Sequence, residues 1–415
     1  MTHLTGVTTA RRILLADADA FFVAVARLVD PDGAGKAPLL IVGGSAESRG
    51  VVCSASYETR KFGVRSAMPI SRALRLCPDA MCVPVPGKAC GIKSREIREV
   101  LGKFAPMVEG ASVDEWYMDM TGTEAVYHAE PLAVTAHRIR DAVRAATGMT
   151  ISIGGGTNKL VAKLAVERAK PKLGANGVHI VEPGGEGGFL ETFMLAELPM
   201  VGPKFQERLQ KLGMVAVPDV LAHDLPTLVR WIGEREATWL WDRVRGISES
   251  EVEVHGDAKS ISRDETFSVD LKDDKDLERE LLTLVTRAAF DLRGDGLAAR
   301  TITVRIRDMD FKNRSAQRTL LEPVVSDRVI MGVARELFRK LRAQRRVPAR
   351  LLGVALSSFA QDPKADQLTL FEARGPVDPL AETERDRLVA RTVDRVRERF
   401  GDKGIIPASL SRPPR

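Results

Sequence analysis

The sequence predicts a multidomain α+β protein, and three observations lead to that prediction. The chain has 415 residues, more than one hydrophobic core ordinarily organises, so two to four domains are expected. In the N-terminal half, strand-like and helical segments alternate in an order that suits an antiparallel or mixed sheet with helices on one face. Nearer the C-terminus, residues 301–307 alternate strictly between apolar and polar, which is typical of a half-buried strand.

Composition and charge narrow the class of protein. No apolar run is long enough to span a bilayer, the N-terminus lacks a signal-peptide pattern, and the four cysteines fit neither a zinc site nor a disulfide framework. A reduced, cytoplasmic protein without a membrane partner is therefore expected. The net charge is +6, and residues 293–350 hold 15 Lys and Arg against 6 Asp and Glu. This segment indicates a module that meets phosphates, and the alternative is a solvated helix face.

Two predicted strands carry acidic residues at their ends. An apolar run ends in Asp17 and Asp19, and residues 112–119 carry Asp114 and Glu115 side by side. Adjacent residues on a regular strand point to opposite faces, so this second pair needs a bend if both carboxylates serve one site. Hard cations such as Mg²⁺ take carboxylate oxygens, and a pair of metal ions stabilises both oxygens of an in-line phosphoryl displacement. The strands therefore predict a metal site, and solvent-exposed strand ends are the alternative.

The following segments predict phosphate contacts. Residues 49–69 begin as a strand and pass into a short helix with Tyr57 and Arg60 on its first turns, where a surface helix is the alternative. Residues 151–153 form a strand, the glycines at 154–156 a tight turn, and Thr157 or Asn158 caps a helix that begins near Lys159. Anions are favoured at such a helix start.

The region up to about residue 247 is predicted to be all-helical, with its tryptophans in the core. Around Gly202 and Lys204, two helices joined by Val-Gly-Pro-Lys resemble a helix-hairpin-helix, a motif whose backbone amides hold a DNA phosphate. A plain helical hairpin is equally compatible.

Residues 252–263 are polar and are predicted to form an irregular linker before a small α/β domain. In that domain Arg305 and Arg307 lie on the outward face of the alternating strand, and Arg314 and Arg318 are expected to extend this face from the next strand. An open face studded with arginines suits a module that follows the nucleic-acid backbone.

The tail contains a short apolar motif and a helix. Residues 367–371 place apolar side chains in a polar segment, which indicates a docking peptide. A helix from about 380 to 400 carries Leu388, Val389, Val393, Val396 and Phe400 on one stripe. Packing of this stripe on the body and a contact with a partner both remain open.

These motifs together resemble the Y-family DNA polymerases, and in particular the bacterial DNA polymerase IV branch. The resemblance is carried by Asp-Ala-Asp-Ala-Phe-Phe at 17–22, by residues 57–69, by Ser-Val-Asp-Glu at 112–115 and by Asn158-Lys159, in collinear order. It implies a right-hand polymerase with a ferredoxin-like palm, small fingers, an all-helical thumb and a four-stranded α/β little finger. The implied boundaries are 1–22 and 84–182 for the palm, 23–83 for the fingers, 183–251 for the thumb, 252–262 for a linker, 263–360 for the little finger and 361–415 for the tail.

The resemblance also implies roles for individual residues. Asp17, Asp114 and Glu115 would be catalytic and would hold two Mg²⁺ ions together with the Ala18 carbonyl. The implied nucleotide-binding residues are Phe21, Phe22, Ser54, Tyr57, Arg60 and Lys159, with Phe22 as the steric gate against a ribose 2′-hydroxyl. The implied DNA contacts are Gly202, Lys204, Arg305, Arg307, Arg314 and Arg318. The implied sliding-clamp peptide comprises Gln367, Leu368, Leu370 and Phe371.

The implied function is error-prone translesion synthesis. A monomeric, nucleoid-associated enzyme would add deoxynucleotides to the primer 3′-hydroxyl on primer-template DNA, without a proofreading exonuclease. A large ring at Trp116, where the family more often has a small residue, is expected to alter packing beside the metal site or to slow catalysis. The rival hypotheses are a non-catalytic DNA- and clamp-binding adaptor, which would not need the three carboxylates, and a nucleotide cyclase, which would not need the thumb.

Overall fold

The computed structural model describes residues 10–171, 176–254, 258–361, 381–401 and 404–410. The chain divides into two compact units, Met1–Gly256 and Asp257–Arg415. Within the described ranges, no helix combines the length and apolar character that crossing a membrane requires.

A five-stranded mixed sheet forms the centre of the first unit. Its strands are β1 (Ile13–Ala18), β5 (Met107–Gly110), β6 (Glu115–Asp119), β7 (Ile151–Gly156) and β8 (Val178–Ile180), in the order β5-β6-β1-β7-β8. Strand β1 lies in the middle and pairs antiparallel with β6 and β7. All six of its residues are buried, so helices must cover both faces of the sheet.

Helices do pack on both faces, and the expectation of helices on one face is wrong. The helices α1 (Phe21–Val29), α4 (Gly87–Leu101) and α5 (Leu132–Thr147) share a core with Leu14 and Ala16. Helix α6 (Lys159–Ala169) covers Ile13 and Leu15 on the opposite face. The predicted Asn158 cap is confirmed, since the Asn158 side chain accepts a hydrogen bond from the Val161 backbone at 3.0 Å.

The three glycines at 154–156 belong to strand β7, so the predicted turn is wrong. A Cβ at Gly154 would overlap the backbone of Ala162 and Val166 in α6, and one at Gly156 would overlap the Val161 side chain. The glycines are therefore needed for close contact between a helix and a sheet, as small residues inside a strand often are.

The rest of the first unit comprises a small sheet and a helical region. The small sheet has the order β3-β2-β4, with β2 (Leu40–Gly43), β3 (Val52–Ala55) and β4 (Met81–Val83), and it is accompanied by α2 (Tyr57–Arg60) and α3 (Ile70–Leu76). The helical region contains α7 (Glu186–Leu190), a 3-10 helix (Leu195–Glu197), α8 (Pro203–Lys211), α9 (Val217–Leu221), α10 (Leu225–Ile232) and α11 (Glu234–Val244).

The helical prediction for this region is confirmed, with one exception in its core. Trp239 and Trp241 pack against the buried cluster, but Trp231 is 41% exposed and does not belong to the core. Trp231 instead meets His223 edge to face at the surface, with 4.8 Å between the ring centroids.

The second unit is a four-stranded antiparallel sheet covered by helices on one face. Its strands are β9 (Ser260–Leu271), β10 (Leu297–Asp308), β11 (Asn313–Val324) and β12 (Ala349–Gln361), in the order β11-β10-β12-β9. Helices α12 (Asp274–Gly294) and α13 (Asp327–Gln344) share a core with Ile302, Val304 and Ile306. The predicted alternation of β10 is confirmed.

The predicted linker is shorter than expected. Val252 is buried with Ile13 and Leu15 against the first sheet, and β9 already begins at Ser260. Both ends of the polar stretch therefore belong to ordered structure. Val252 packs against the first sheet at one end, and strand β9 occupies the other.

The C-terminal helix α14 (Glu384–Phe400) packs on the second unit through polar contacts. Arg293, whose side chain is 5% exposed, pairs with Asp394 at 2.5 Å and with Asp327 at 2.8 Å. Glu382 accepts hydrogen bonds from the backbone of Val325 and Ser326 at the start of α13. Of the apolar stripe, Leu388, Val389 and Phe400 are more than half exposed, whereas Val393 and Val396 are partly buried. The buried residues of the helix are Ala390 and Arg397.

Candidate active site

Two acidic side chains meet where β1 and β6 run side by side. Asp17 lies directly opposite Glu115 in the antiparallel register, and the two carboxylates are close enough for a hydrogen bond between them. Asp17 is only 6% exposed. The sequence prediction that these two strands bring carboxylates together is confirmed for this pair.

Asp114 lies in the bend that the sequence requires. Residues 111–114 form this bend just before β6, and the Asp114 carbonyl accepts a hydrogen bond from the Ala18 backbone at 2.9 Å. Its carboxylate accepts a hydrogen bond from the Ser112 hydroxyl at 2.5 Å. In the described part of the chain, no three His, Cys, Asp or Glu side chains are close enough together to hold one metal ion. The backbone of Asp114 is therefore hydrogen-bonded to the end of β1, while its side chain is turned to Ser112.

A row of lysines on helix α6 and just after it balances the acidic residues of the sheet. Lys159 pairs with Glu109 at 2.7 Å, Lys163 pairs with Glu115, and Lys170 pairs with Asp17 at 2.9 Å. These lysines recur after four and seven residues, so helical geometry places them on one face. Three of the acidic residues on this side of the sheet thus have an ammonium group beside them, while Asp119 accepts a hydrogen bond from the Thr121 backbone.

The charge balance at Asp17 is incomplete. Burial raises the pKa of Asp17 to about 7, since the neighbouring Glu115 adds to the rise and Lys170 offsets only part of it. Negative charge at the pair is therefore costly in this environment. An additional cation would relieve that cost, and carboxylate oxygens are the donors that Mg²⁺ prefers.

Lys159 does not reach the carboxylate pair, so its prediction as a nucleotide ligand is not supported by its position. Its ammonium group is bound by both oxygens of Glu109, at 2.7 and 2.8 Å, and lies 4.7 Å from the centre of the Tyr117 ring. Lys170, which the sequence reasoning missed, is the lysine beside Asp17. The spacing of the lysines in the sequence indicates this, since Lys163 and Lys170 are two helical turns apart and therefore lie on one face.

The other predicted nucleotide-binding residues lie on α1, β3 and α2. Phe22 is half-buried and meets the buried Phe21 edge to face, with 5.4 Å between the ring centroids. Ser54 is buried on β3. Arg60 lies 5.0 Å from the centre of the Tyr57 ring, and its Nε donates to the Ala55 carbonyl at 2.9 Å.

Trp116 lies away from the carboxylates. It is 1% exposed, and as the residue after Glu115 on a strand it points to the opposite face, into the core shared with α4 and α5. The ring therefore packs on the face of β6 away from Glu115, and the slower catalysis expected from it stays a prediction. The strand alternation separates the large ring from the carboxylate beside it in sequence.

The predicted hairpin motif is only partly helical. Gly202 caps α8, and Gly202 and Lys204 are exposed, but the element before them is the short 3-10 helix. The predicted clamp peptide at 367–371 lies outside the described residues.

The four predicted arginines of the second unit divide between the two faces of its sheet. Arg305 and Arg307 pair with Ser315 and Asn313 across the strands and lie on the open face, away from the helices. Arg314 and Arg318 pair with the core residues Ile306 and Ile302 and therefore lie on the helix-covered face. The prediction that they extend the open face is wrong.

Local contacts explain why these two arginines turn inward. Arg314 binds the fully buried Asp308 at 2.8 Å. Arg318 binds Glu336 of α13, also at 2.8 Å. Both guanidinium groups are held by carboxylates of the same unit and point away from the open face.

Comparison with known proteins accounts for both units. A model of the impB/mucB/samB family matches residues 16–167, and a model of the impB/mucB/samB family C-terminal domain matches residues 258–370. A DNA polymerase IV from Dehalococcoides mccartyi (strain CBDB1) is 35% identical over 395 residues, which are 95% of this chain and 96% of that protein.

Solved structures share the fold. A Y-family DNA polymerase chimera is 26% identical with a TM-score of 0.74, over 84% of this chain and 98% of that one. An insertion ternary complex of Dbh DNA polymerase is 26% identical with a TM-score of 0.60, over 83% of this chain and 98% of that one. The resemblance inferred from the motifs and the right-hand polymerase fold with its four-stranded little finger are thereby confirmed. The chain belongs to the impB/mucB/samB family, in the DNA polymerase IV branch of the Y-family DNA polymerases.

Proposed function

We propose that Asp17, Asp114 and Glu115 hold two Mg²⁺ ions and carry out nucleotidyl transfer from a deoxynucleoside triphosphate to a primer 3′-hydroxyl. Membership of the family makes the chain a DNA-directed DNA polymerase of translesion synthesis, and Y-family polymerases are metal-dependent. The observation that carries the proposal is the buried pair of Asp17 and Glu115, whose negative charge the neighbouring lysines do not fully balance.

The donor set fits a hard divalent cation. Asp17 and Glu115 already adjoin, and the Asp114 backbone is hydrogen-bonded to that of Ala18, whose carbonyl is a further candidate ligand. Bound Mg²⁺ would lower the pKa of the primer hydroxyl and stabilise charge on the phosphoryl oxygens. Glu115 would be the ligand on the primer side, and Asp17 and Asp114 would be shared by both ions.

The groups around the carboxylates are suited to the triphosphate. Lys170 brings an ammonium group beside Asp17, and Tyr57 and Arg60 bring a phenol and a guanidinium from α2. We assign the phosphate contacts to these three residues together with Ser54, with Lys170 in place of Lys159. Positioning and charge neutralisation supply most of the catalysis in phosphoryl transfer.

The proposal extends to domains and partners. The five-stranded sheet would be the palm, the three-stranded sheet the fingers, the helical region the thumb and the second unit the little finger, with the boundaries that the resemblance implies. Primer-template DNA and a deoxynucleotide are the proposed substrates, supported by the similarity to an insertion ternary complex. A sliding clamp bound by residues 367–371, a monomeric state and a cytoplasmic location at the nucleoid complete the proposal.

Removal of one carboxylate tests the catalytic assignment. We expect Asp17→Asn, Asp114→Asn or Glu115→Gln each to lower kcat for primer extension by more than about 100-fold, because each removes an anionic metal ligand. Asp119→Asn, at the far end of β6, is the matched control and should retain activity. Near-normal extension by any of the three variants would contradict the role of that residue.

A substitution of Phe22 tests the steric gate. Phe22→Ala should raise ribonucleotide relative to deoxynucleotide incorporation by at least about tenfold, since the ring would no longer fill the space of the 2′-hydroxyl. The ratio of kcat/KM values on one template measures this. Phe62→Ala removes an exposed ring from the same unit and should leave the ratio unchanged. An unaltered ratio in Phe22→Ala would remove the gate from the mechanism.

The two lysines of the α6 face provide a matched pair. Lys170→Gln should raise KM for the incoming nucleotide by about tenfold, because a charged hydrogen bond to phosphate is lost. Lys159→Gln should change KM by less than about twofold, since its ammonium group lies at Glu109 and not beside Asp17. Steady-state kinetics on one primer-template decide between them, and a larger effect at Lys159 would restore the original prediction.

The open face of the second unit is tested by the salt dependence of DNA binding. The double variant Arg305→Gln and Arg307→Gln should weaken binding and reduce the slope of log affinity against log salt by about two. Arg318→Gln, on the helix-covered face, should leave the slope unchanged. Fluorescence anisotropy between about 50 and 200 mM salt measures both. Equal slopes for the double variant and the unaltered protein would exclude these phosphate contacts.

A further inference from the structure

Lys163 contacts a proposed metal ligand, and the proposed chemistry gives it no role. Its ammonium group donates a hydrogen bond to Oε1 of Glu115, and this is its only polar contact among the described residues. The other two lysines of the same row differ from it in this respect. Lys159 pairs with Glu109, which is not a proposed ligand, and Lys170 is assigned to the triphosphate.

The packing of α6 fixes the place of this ammonium group. Ala162 and Val166, which lie on either side of Lys163 along the helix, belong to one buried cluster with strand β1. The side chain of Lys163 is 28% exposed, and that of Glu115 is 23% exposed. Water therefore screens the attraction between the two charges only in part.

A cation bound by Glu115 would share this carboxylate with the ammonium group. Lys163 already holds Oε1, so it must either release that oxygen or remain beside a second positive charge. Release gives up a charge-assisted hydrogen bond, and two like charges at short range repel each other. Both outcomes raise the free energy of the protein with a divalent cation at Glu115, so Lys163 opposes that binding.

We infer that Lys163 is a positioning residue that sets the affinity of the primer-side metal site through its contact with Glu115. Its charge stabilises the acidic end of the sheet and at the same time weakens the binding of a divalent cation there. The inference rests on the role proposed for Glu115 as a metal ligand. The concentration of divalent cation that the enzyme needs is thus governed by a side chain of α6 that is not itself a ligand.

Titration of the protein with Mn²⁺ tests the inference, with free Mn²⁺ followed by its electron paramagnetic resonance signal. Lys163→Gln should lower the dissociation constant of Mn²⁺ about fivefold, since one competing positive charge is removed. Lys163→Arg keeps the charge and should leave the constant within about twofold of its original value. Lys159→Gln is the matched control, because that lysine lies one helical turn away at Glu109, and it should also stay within about twofold.

Thermal unfolding separates this role from that of a merely structural ion pair. Without a divalent cation, Lys163→Gln should lower Tm by about 2 °C, since the acidic end of the sheet loses a counter-charge. Saturating Mn²⁺ should remove most of that difference, because the variant binds the cation more tightly and gains more stability from it. A purely structural ion pair would instead lower Tm by the same amount with and without Mn²⁺.

The outcomes separate the inference from the proposed function. If Glu115→Gln leaves Mn²⁺ binding unchanged, Glu115 is no metal ligand and both fall. If Glu115→Gln weakens binding but Lys163→Gln does not tighten it, the metal site stands and the role of Lys163 falls. In the Glu115→Gln background, Lys163→Gln should shift the dissociation constant by less than about twofold, since the carboxylate through which it acts is gone. An undiminished gain in that background would show a general effect of charge and would also overturn the inference.

Discussion

The structure of the first unit depends on two carboxylates that meet in a nearly buried position on neighbouring strands. Asp17 and Glu115 are brought together by the register of β1 and β6. Burial and the repulsion between the two carboxylates both raise the free energy of the charged pair. Lys163 and Lys170 offset part of that cost from the helix that covers the sheet. The remaining imbalance is the observation on which the proposed metal site rests.

The glycines of β7 make this arrangement possible. Because Gly154 and Gly156 have no Cβ, helix α6 lies directly against the strand, and its lysine side chains reach across to the acidic residues. A larger residue at Gly154 would push the helix outward by the thickness of a side chain. The geometry of the charged site therefore depends on these two glycines, which carry no chemistry of their own.

Much of this site could be predicted from the sequence, and the exceptions have a common cause. Asp17 and Glu115 could be predicted because an acid at the end of an apolar strand is a local pattern. Lys170 was not singled out beside Asp17 because the cap of a helix shows where the helix begins, and not which of its turns faces the acid. Arg314 was assigned to the wrong face because the face of each residue on β11 depends on its exact pairing with β10. A shift of one residue in that pairing moves every side chain of the strand to the other face.

The contacts of α14 bear on where the chain could be shortened without loss of stability. The matched family region ends at residue 370, so this helix lies beyond it, yet its Asp394 neutralises Arg293, which is only 5% exposed, and Glu382 caps the start of α13. A protein shortened to the family boundary would leave a buried guanidinium short of one counter-ion and a helix start uncapped. The C-terminal helix is thus held to the little finger by an ion pair and by hydrogen bonds.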